Sequence, residues 1–392
     1  MKIINIISAL LLCITVPATA SEEKALNEFN KAIKAYKTKD YKSAESYLKS
    51  ALKYKSSDGN IELANGKPSY RWKDGPRGKE RYVIGMTTRD YPYYPNRLAA
   101  DIKAEKKALI KSIAINIPKS QKNKENAFGI VIGNANYDHI ENVDFAVNDA
   151  KLVKKYVERT LGYENVDMKS NISQVDFQTL FGNKSNGYRG KIYNMVAALA
   201  EDESNPEVFI YYSGHGSPDP SRPGESYFLP TEISRANMNS YMDTAAYSTS
   251  DFYASINRLP TNNVTVIVDA CFSGQASGSG NSLFENISAG SLVSPETVDF
   301  SSNLKKAEVM TSTSRNQVSN WYPDAEHSLF TYHLLSGLQG DADKNKDNKI
   351  SFDELSAYVS REVRLQYTKE DLPKQDPVFK GNGRRVIAEL KN

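Results

Sequence analysis

From residue 128 onward the chain alternates between two hydrophobic periods. Continuous apolar runs of strand length occupy 128–134, 207–213, 264–269 and 307–311, rich in Val, Ile, Phe and Tyr as in parallel strands buried on both faces. Between them apolar residues recur every three or four positions. Ala146, Ala150, Val153, Val157 and Leu161 mark one helix, and further helices fit 190–200, 249–258 and 328–338. This interleaving predicts an α/β fold, a largely parallel sheet covered by helices. The N-terminal part reads differently. Residues 24–57 carry apolar positions at helical spacing in two runs broken at Lys39-Asp40, with Tyr36, Tyr41, Ala44, Tyr47 and Ala51 where a tetratricopeptide hairpin has packing residues. An ordinary amphipathic helical hairpin would show the same spacing. A single repeat cannot bury its own face, so it is expected to dock on a protein partner or on residues 58–118. That stretch, rich in Tyr, Pro and charge, has no interpretable period, and "PKSQKNKEN" at 118–126 reads as a polar, Lys-rich linker.

The first 20 residues have a basic start at Lys2, a short apolar core over 7–16 and an Ala18-Thr19-Ala20 cleavage pattern. They predict a signal peptide cut after Ala20, and a secreted or periplasmic chain with no membrane partner after cleavage. Removal of Cys13 leaves Cys271 as the one thiol, which excludes an internal disulfide and makes the cysteine either inert or reactive. The net charge is +3 with both signs interspersed, which argues against nucleic acid as a partner. "IGNANY" after the first strand lacks the G-x-G-x-x-G spacing, so no organic cofactor is expected.

In "VFIYYSGHGSP" a histidine, His215, stands between two glycines at the end of an apolar run, and in "VTVIVDACFSG" Cys271 stands at the end of the next. Open α/β sheets keep their chemistry at the carboxyl ends of strands, and neighbouring strands bring both residues to one edge. An imidazole there can activate the thiol and later protonate a leaving amine. The N–H groups of Gly216 and Cys271 can hold the oxyanion of a tetrahedral intermediate.

"YYSGHG" followed by "DACFSG", with histidine and cysteine 56 residues apart, resembles the motif pair of caspase-like peptidases, more closely metacaspases and their bacterial relatives than animal caspases. The resemblance covers about 128–390 and implies a caspase-like fold and a cysteine endopeptidase acting on protein or peptide substrates. Asp269 stands two residues before the nucleophile, where animal caspases carry Gln. The resemblance further implies that "AVNDAKLV" supplies Asp149 to the primary specificity pocket with Ser213 beside it. Two carboxylates would favour a substrate Arg or Lys and repel Asp. Phe272 departs from the His usual in metacaspases, and the Gly/Ser-rich stretch 275–305 is long. His139, His327 and His333 lack a cysteine partner or metal-ligand spacing and need no function.

A second constellation, "DKNKDNKISFDE" at 343–354, has the spacing of an EF-hand-like calcium loop. Asp343, Asn345, Asp347, Ser351 and Glu354 fall at positions 1, 3, 5, 9 and 12, with the Lys349 carbonyl at 7 and Ile350 at the apolar position 8. Asn348 replaces the usual glycine at position 6. The reading from sequence is therefore a caspase-like endopeptidase that cuts after Arg or Lys, influenced by Ca²⁺ and able to cut itself at Lys119, Lys122, Lys124, Lys305 or Lys306. The alternative is a caspase-like scaffold without turnover, acting through the hairpin and the calcium loop.

Overall fold

The structure, a computed structural model, describes residues 20–51, 70–75, 78–83, 95–109, 112–201, 205–219, 221–222, 225–273, 275, 282–283, 306–314 and 317–391. The expected signal peptide lies outside the described residues apart from Ala20. Two compact units are present, residues 1–110 and 111–392.

In the first unit, helices Ala20–Lys37 and Tyr41–Ala51 form the expected hairpin, turning where Lys39 takes a left-handed conformation. Phe29, Ala32, Ile33, Ala44, Leu48 and Ala51 bury against Leu98 and Ile102 of a third helix, Pro95–Leu109. Glu105 of that helix accepts hydrogen bonds from Tyr36 and Tyr41 at 2.7 and 2.6 Å. The cover that a lone hairpin requires thus comes from the stretch that carried no readable pattern. Its helix offers only a narrow apolar stripe among Lys, Glu and Ala, too sparse to announce a core-facing helix. A small antiparallel hairpin, Tyr70–Gly75 with Gly78–Val83, lies in the same unit.

The second unit is built on a six-stranded sheet. In spatial order its strands are Val378–Lys380, Ala307–Thr311, Asn263–Asp269, Glu207–Ser213, Lys124–Gly133 and Tyr163–Ser170, all parallel except the first pair. Alternate residues of the central strands, among them Ile130, Ile210 and Val266, pack with Phe177, Ile192, Phe252 and Ile256 of the helices on one face. Helix Ala146–Arg159 covers the other face. A Cβ on Gly133 would lie 2.6 Å from the Ala146 carbonyl oxygen, so only glycine lets the first turn of this helix sit on the strand end. That close approach positions Asp149.

The predicted linker is a correction. Ser120 N–H donates to the Arg159 carbonyl at 2.7 Å, Gln121 N–H to Glu389 at 2.9 Å, Lys391 N–H to Lys119 at 2.8 Å and Lys124 N–H to Gly162 at 2.7 Å. Strand Lys124–Gly133 already begins inside the segment. The Lys119 and Lys122 side chains are exposed while the backbone is paired, and composition registers only the side chains.

Candidate active site

The register of the sheet assembles the site. Gly133 pairs with Ser213 and Ser213 with Asp269, so three strands end at one level. His215 and Cys271 each lie two residues beyond that level on neighbouring strands. The Gly214 N–H donates to the Asp269 carbonyl at 3.4 Å, joining the two strand ends.

His215 is completely buried and held from four directions. Its N–H donates to the Tyr137 hydroxyl at 2.8 Å, and its carbonyl accepts from the Tyr212 hydroxyl at 2.8 Å and from Leu229 N–H at 3.1 Å. The Tyr137 ring lies 4.7 Å from the imidazole, centroid to centroid. Nε2 stands 2.7 Å from the Glu141 carbonyl oxygen, which can only accept, so Nε2 carries the hydrogen and Nδ1 the lone pair. Nδ1 is buried and has no hydrogen-bond partner among the described residues. Burial depresses the imidazole to about 4, against a weaker upward pull from the Glu141 carbonyl. At neutral pH the ring is therefore an uncharged base with its acceptor nitrogen unspent.

Gly216 could not be another residue. A Cβ there would meet the Phe272 ring at 2.6 Å and the Cys271 carbonyl oxygen at 2.9 Å. Its partner across a short hairpin is Phe228, and the flanking bond from Leu229 N–H to the His215 carbonyl makes this a pair without mutual hydrogen bonds. The Gly216 N–H thus points away from that strand. Cys271 is 1% exposed, and the Ser319 N–H donates to its Sγ at 2.7 Å.

The two acids lie at the same sheet edge. Asp149 is fully buried in the first turn of its helix. It receives Ser328 N–H at 3.1 Å and stands 2.5 Å from His327 Nδ1. Burial raises its carboxyl to about 6, against the pull of His327 and with an added push from Asp269. Asp269 takes hydroxyl donors from Ser319 at 2.8 Å, Thr331 at 2.7 Å and Ser328. Ser328 thus touches both carboxylates. Among the described residues neither acid has a Lys or Arg partner. Ser213, opposite Asp269 in the register, is buried.

Tyr137, Glu141, Tyr212, Ser319, His327, Ser328 and Thr331 escaped the sequence reading. Glu141 acts through its backbone, which no residue type signals, and His327, without a cysteine partner or metal-ligand spacing in the sequence, meets an acid 178 positions away. Ser328 alone left a trace: it precedes an apolar helical run and caps helix Leu329–Ser336.

In the 343–354 loop the backbone fits the calcium register. Asn348 adopts φ 63° at position 6, and Ile350 is completely buried. Asp343 accepts from the N–H groups of Asp347 and Asn348 at 3.2 and 3.0 Å. Burial works to raise the Glu354 carboxyl, but hydrogen bonds from Ser351 and from the Lys344 and Asn345 backbone hold it below its ordinary value. The donors suit a hard cation by type and order. Among the described residues, however, no three His, Cys, Asp or Glu side chains converge as a metal-holding group. No described helix is long and apolar enough to cross a membrane.

The model of the caspase domain family matches residues 127–385. Among solved structures, caspase-1 from Spodoptera frugiperda is 15% identical, with a TM-score of 0.40 over 72% of this chain and 97% of that one. The Drosophila initiator caspase Dronc is 13% identical, with a TM-score of 0.41 over 70% and 88%. No curated protein matches the chain. With two thirds of its length matched by the family model, the chain belongs to the caspase domain family, whose members are cysteine peptidases acting on proteins.

Proposed function

We propose that this caspase-domain protein is an endopeptidase that cuts after Arg or Lys. The carrying observation is the state of His215: neutral, its Nε2–H fixed on a main-chain carbonyl, its Nδ1 lone pair buried and unspent beside the strand end that bears Cys271. In this reading Nδ1 takes the thiol proton as Sγ attacks the scissile carbonyl carbon. The N–H groups of Gly216 and Cys271 receive the oxyanion, and the imidazolium returns the proton to the departing amine. Water then repeats the cycle on the thioester. Asp149 and Asp269, with Ser213 between strand and pocket, hold the basic side chain, since an unpaired carboxylate in their place would gain nothing from two more.

A panel of fluorogenic peptides differing only in the residue before the scissile bond tests this. Cleavage after Arg and Lys with Asp peptides untouched is expected, and efficient cleavage after Asp would overturn the pocket assignment. Labelling of Cys271 by a peptidyl electrophile separates the enzyme from a scaffold without turnover.

Three further elements belong to the reading. Self-cleavage falls at Lys306 or in the stretch before it, because Lys119, Lys122 and Lys124 sit in a paired backbone that no protease cleft accepts unopened. Export follows from the N-terminal 20 residues, and intact mass of the secreted chain, beginning at Ser21, checks it. Calcium is held by Asp343, Asn345, Asp347, the Lys349 carbonyl, Ser351 and Glu354, and braces helix Phe352–Glu370. Its affinity is expected at roughly 10⁻⁴ to 10⁻³ M. Unchanged calorimetric heat in Asp343→Ala/Glu354→Gln would refute it.

A further inference from the structure

One residue touches both halves of the site. Ser319 donates its backbone N–H to Cys271 Sγ at 2.7 Å and its hydroxyl to Asp269 Oδ1 at 2.8 Å. We infer that Ser319 is a positioning residue that couples the acid pocket to the nucleophile, residues 317–320 forming a strap that masks the thiol until a cation enters the pocket. The inference rests on the reading of Asp149 and Asp269 as the specificity pocket.

The strap is held from outside the site. Asn320 N–H donates to Gln375 Oε1 at 2.9 Å and its side-chain amide to the Pro373 carbonyl at 2.8 Å. Gln317 and Asp376 exchange bonds of 2.8 and 2.7 Å. Gln375 Nε2, fully buried, donates to the Ser312 carbonyl at 3.0 Å and reaches Ser319 Oγ at 3.4 Å. The segment 373–376 begins three residues after the end of helix Phe352–Glu370. It fixes the strap at both ends and leaves Ser319 over the sulfur.

That arrangement is incompatible with attack as it stands. A carbonyl carbon must come within about 3–3.5 Å of the sulfur, and the sulfur is covered. The strap must shift, and the pocket supplies the reason to shift. Asp269 already accepts three neutral hydroxyl donors on its two oxygens. An incoming guanidinium or ammonium makes charge-assisted bonds, about twice as strong as neutral ones, and competes for the same oxygens. The Ser319 hydroxyl is the donor whose loss also frees the middle of the strap, because its own backbone is the group resting on Sγ, while Gln317 and Asn320 stay anchored. Filling the pocket and baring the thiol become one movement, and a substrate without a basic side chain meets a masked nucleophile. Specificity is then enforced twice, in binding and in exposure of the reacting atom.

The test reads the thiol without turnover. The full chain is alkylated with iodoacetamide at pH 7 and the peptide bearing Cys271 is followed by mass, which separates it from Cys13. Ser319→Ala should alkylate roughly tenfold faster than wild type, the factor expected from losing one hydrogen bond to a charged acceptor. Ser319→Thr, which keeps the hydroxyl, should stay near the wild-type rate. Saturating agmatine, a guanidinium and ammonium probe without an electrophile, should accelerate the wild type and leave Ser319→Ala unchanged. Equal rates in wild type and Ser319→Ala would overturn the mask, and agmatine without effect on the wild type would overturn the coupling. Peptide cleavage measured in parallel separates the two readings: a basic preference with unaltered alkylation rates sinks the strap alone, and no basic preference sinks the pocket.

Discussion

The two halves of the site face the same physical pressure and answer it in opposite directions. His215 and Asp149 are both completely buried at neighbouring strand ends. Desolvation penalises the charged form of each, so the imidazole falls to about 4 and the carboxyl rises to about 6. The histidine gains from this. Neutral, with Tyr137, Tyr212 and the Glu141 carbonyl fixing its orientation, it is ready to take a proton. The acid is opposed by it, since the proposed cation pocket needs the carboxylate ionised. His327, Ser328 and the hydroxyls around Asp269 are what the protein sets against that cost. In the proposed reading, burial alone makes a base, whereas burial plus donors makes a cation site.

The strongest way to break the comparison is to remove the nucleophile. Cys271→Ala should lower turnover on the order of 10⁴-fold or more, with melting shifted by no more than about a few degrees. Retained peptidase activity would show that the neutral histidine serves another group. Next, Asp269→Asn should reduce kcat/KM for an Arg peptide by about 10²-fold while leaving the thiol no less reactive toward a small electrophile than in the wild type, the loss expected when a buried charge pair loses one member. A pH titration sharpens the contrast further. As pH falls, the raised Asp149 takes up its proton first, so kcat/KM for a basic peptide should drop through KM near pH 6. Neutral His215 persists, so kcat should hold until about pH 4. Asp149→Asn should erase the first limb only. Stability runs the same way for the histidine: the unfolded ring binds its proton near 6.5 and the folded one only near 4. Its contribution is complete above 6.5 and is lost as pH falls toward 4. Asp149, with its folded pKa raised, adds the opposite slope between 3.8 and about 6. Smallest, Tyr137→Phe should cost about tenfold in kcat and ~1–3 kcal/mol of stability. It leaves the His215 N–H without an acceptor while preserving the ring beside the imidazole.

How much of this the sequence disclosed follows from how each part is encoded. Strand ends are legible because apolar runs stop abruptly there, and the register that brings Ser213 opposite Asp269 is a necessary result of parallel strands ending together. His215 and Cys271 were visible for that reason. Ser319 and His327 were not, because a serine or histidine in a polar stretch carries no sign of a partner 50 or 178 residues away. The 343–354 loop shows the limit from the other side. Its spacing foretold the left-handed turn at Asn348 and the buried Ile350, both backbone matters, while its carboxylates bond the loop's own N–H groups.

The seam between residues 119–121 and 389–391 has a consequence for how the protein comes to be. It closes contacts across about 270 positions, the kind of long-range pairing that is paid for in loop entropy and formed late. Gln375, which fixes the strap over the thiol, belongs to the same late stretch. During synthesis from the N-terminus, the strands bearing His215 and Cys271 emerge more than a hundred residues before that seam can close. A chain still short of residues 373–391 therefore presents both strand ends with neither the seam closed nor the strap over Cys271 anchored.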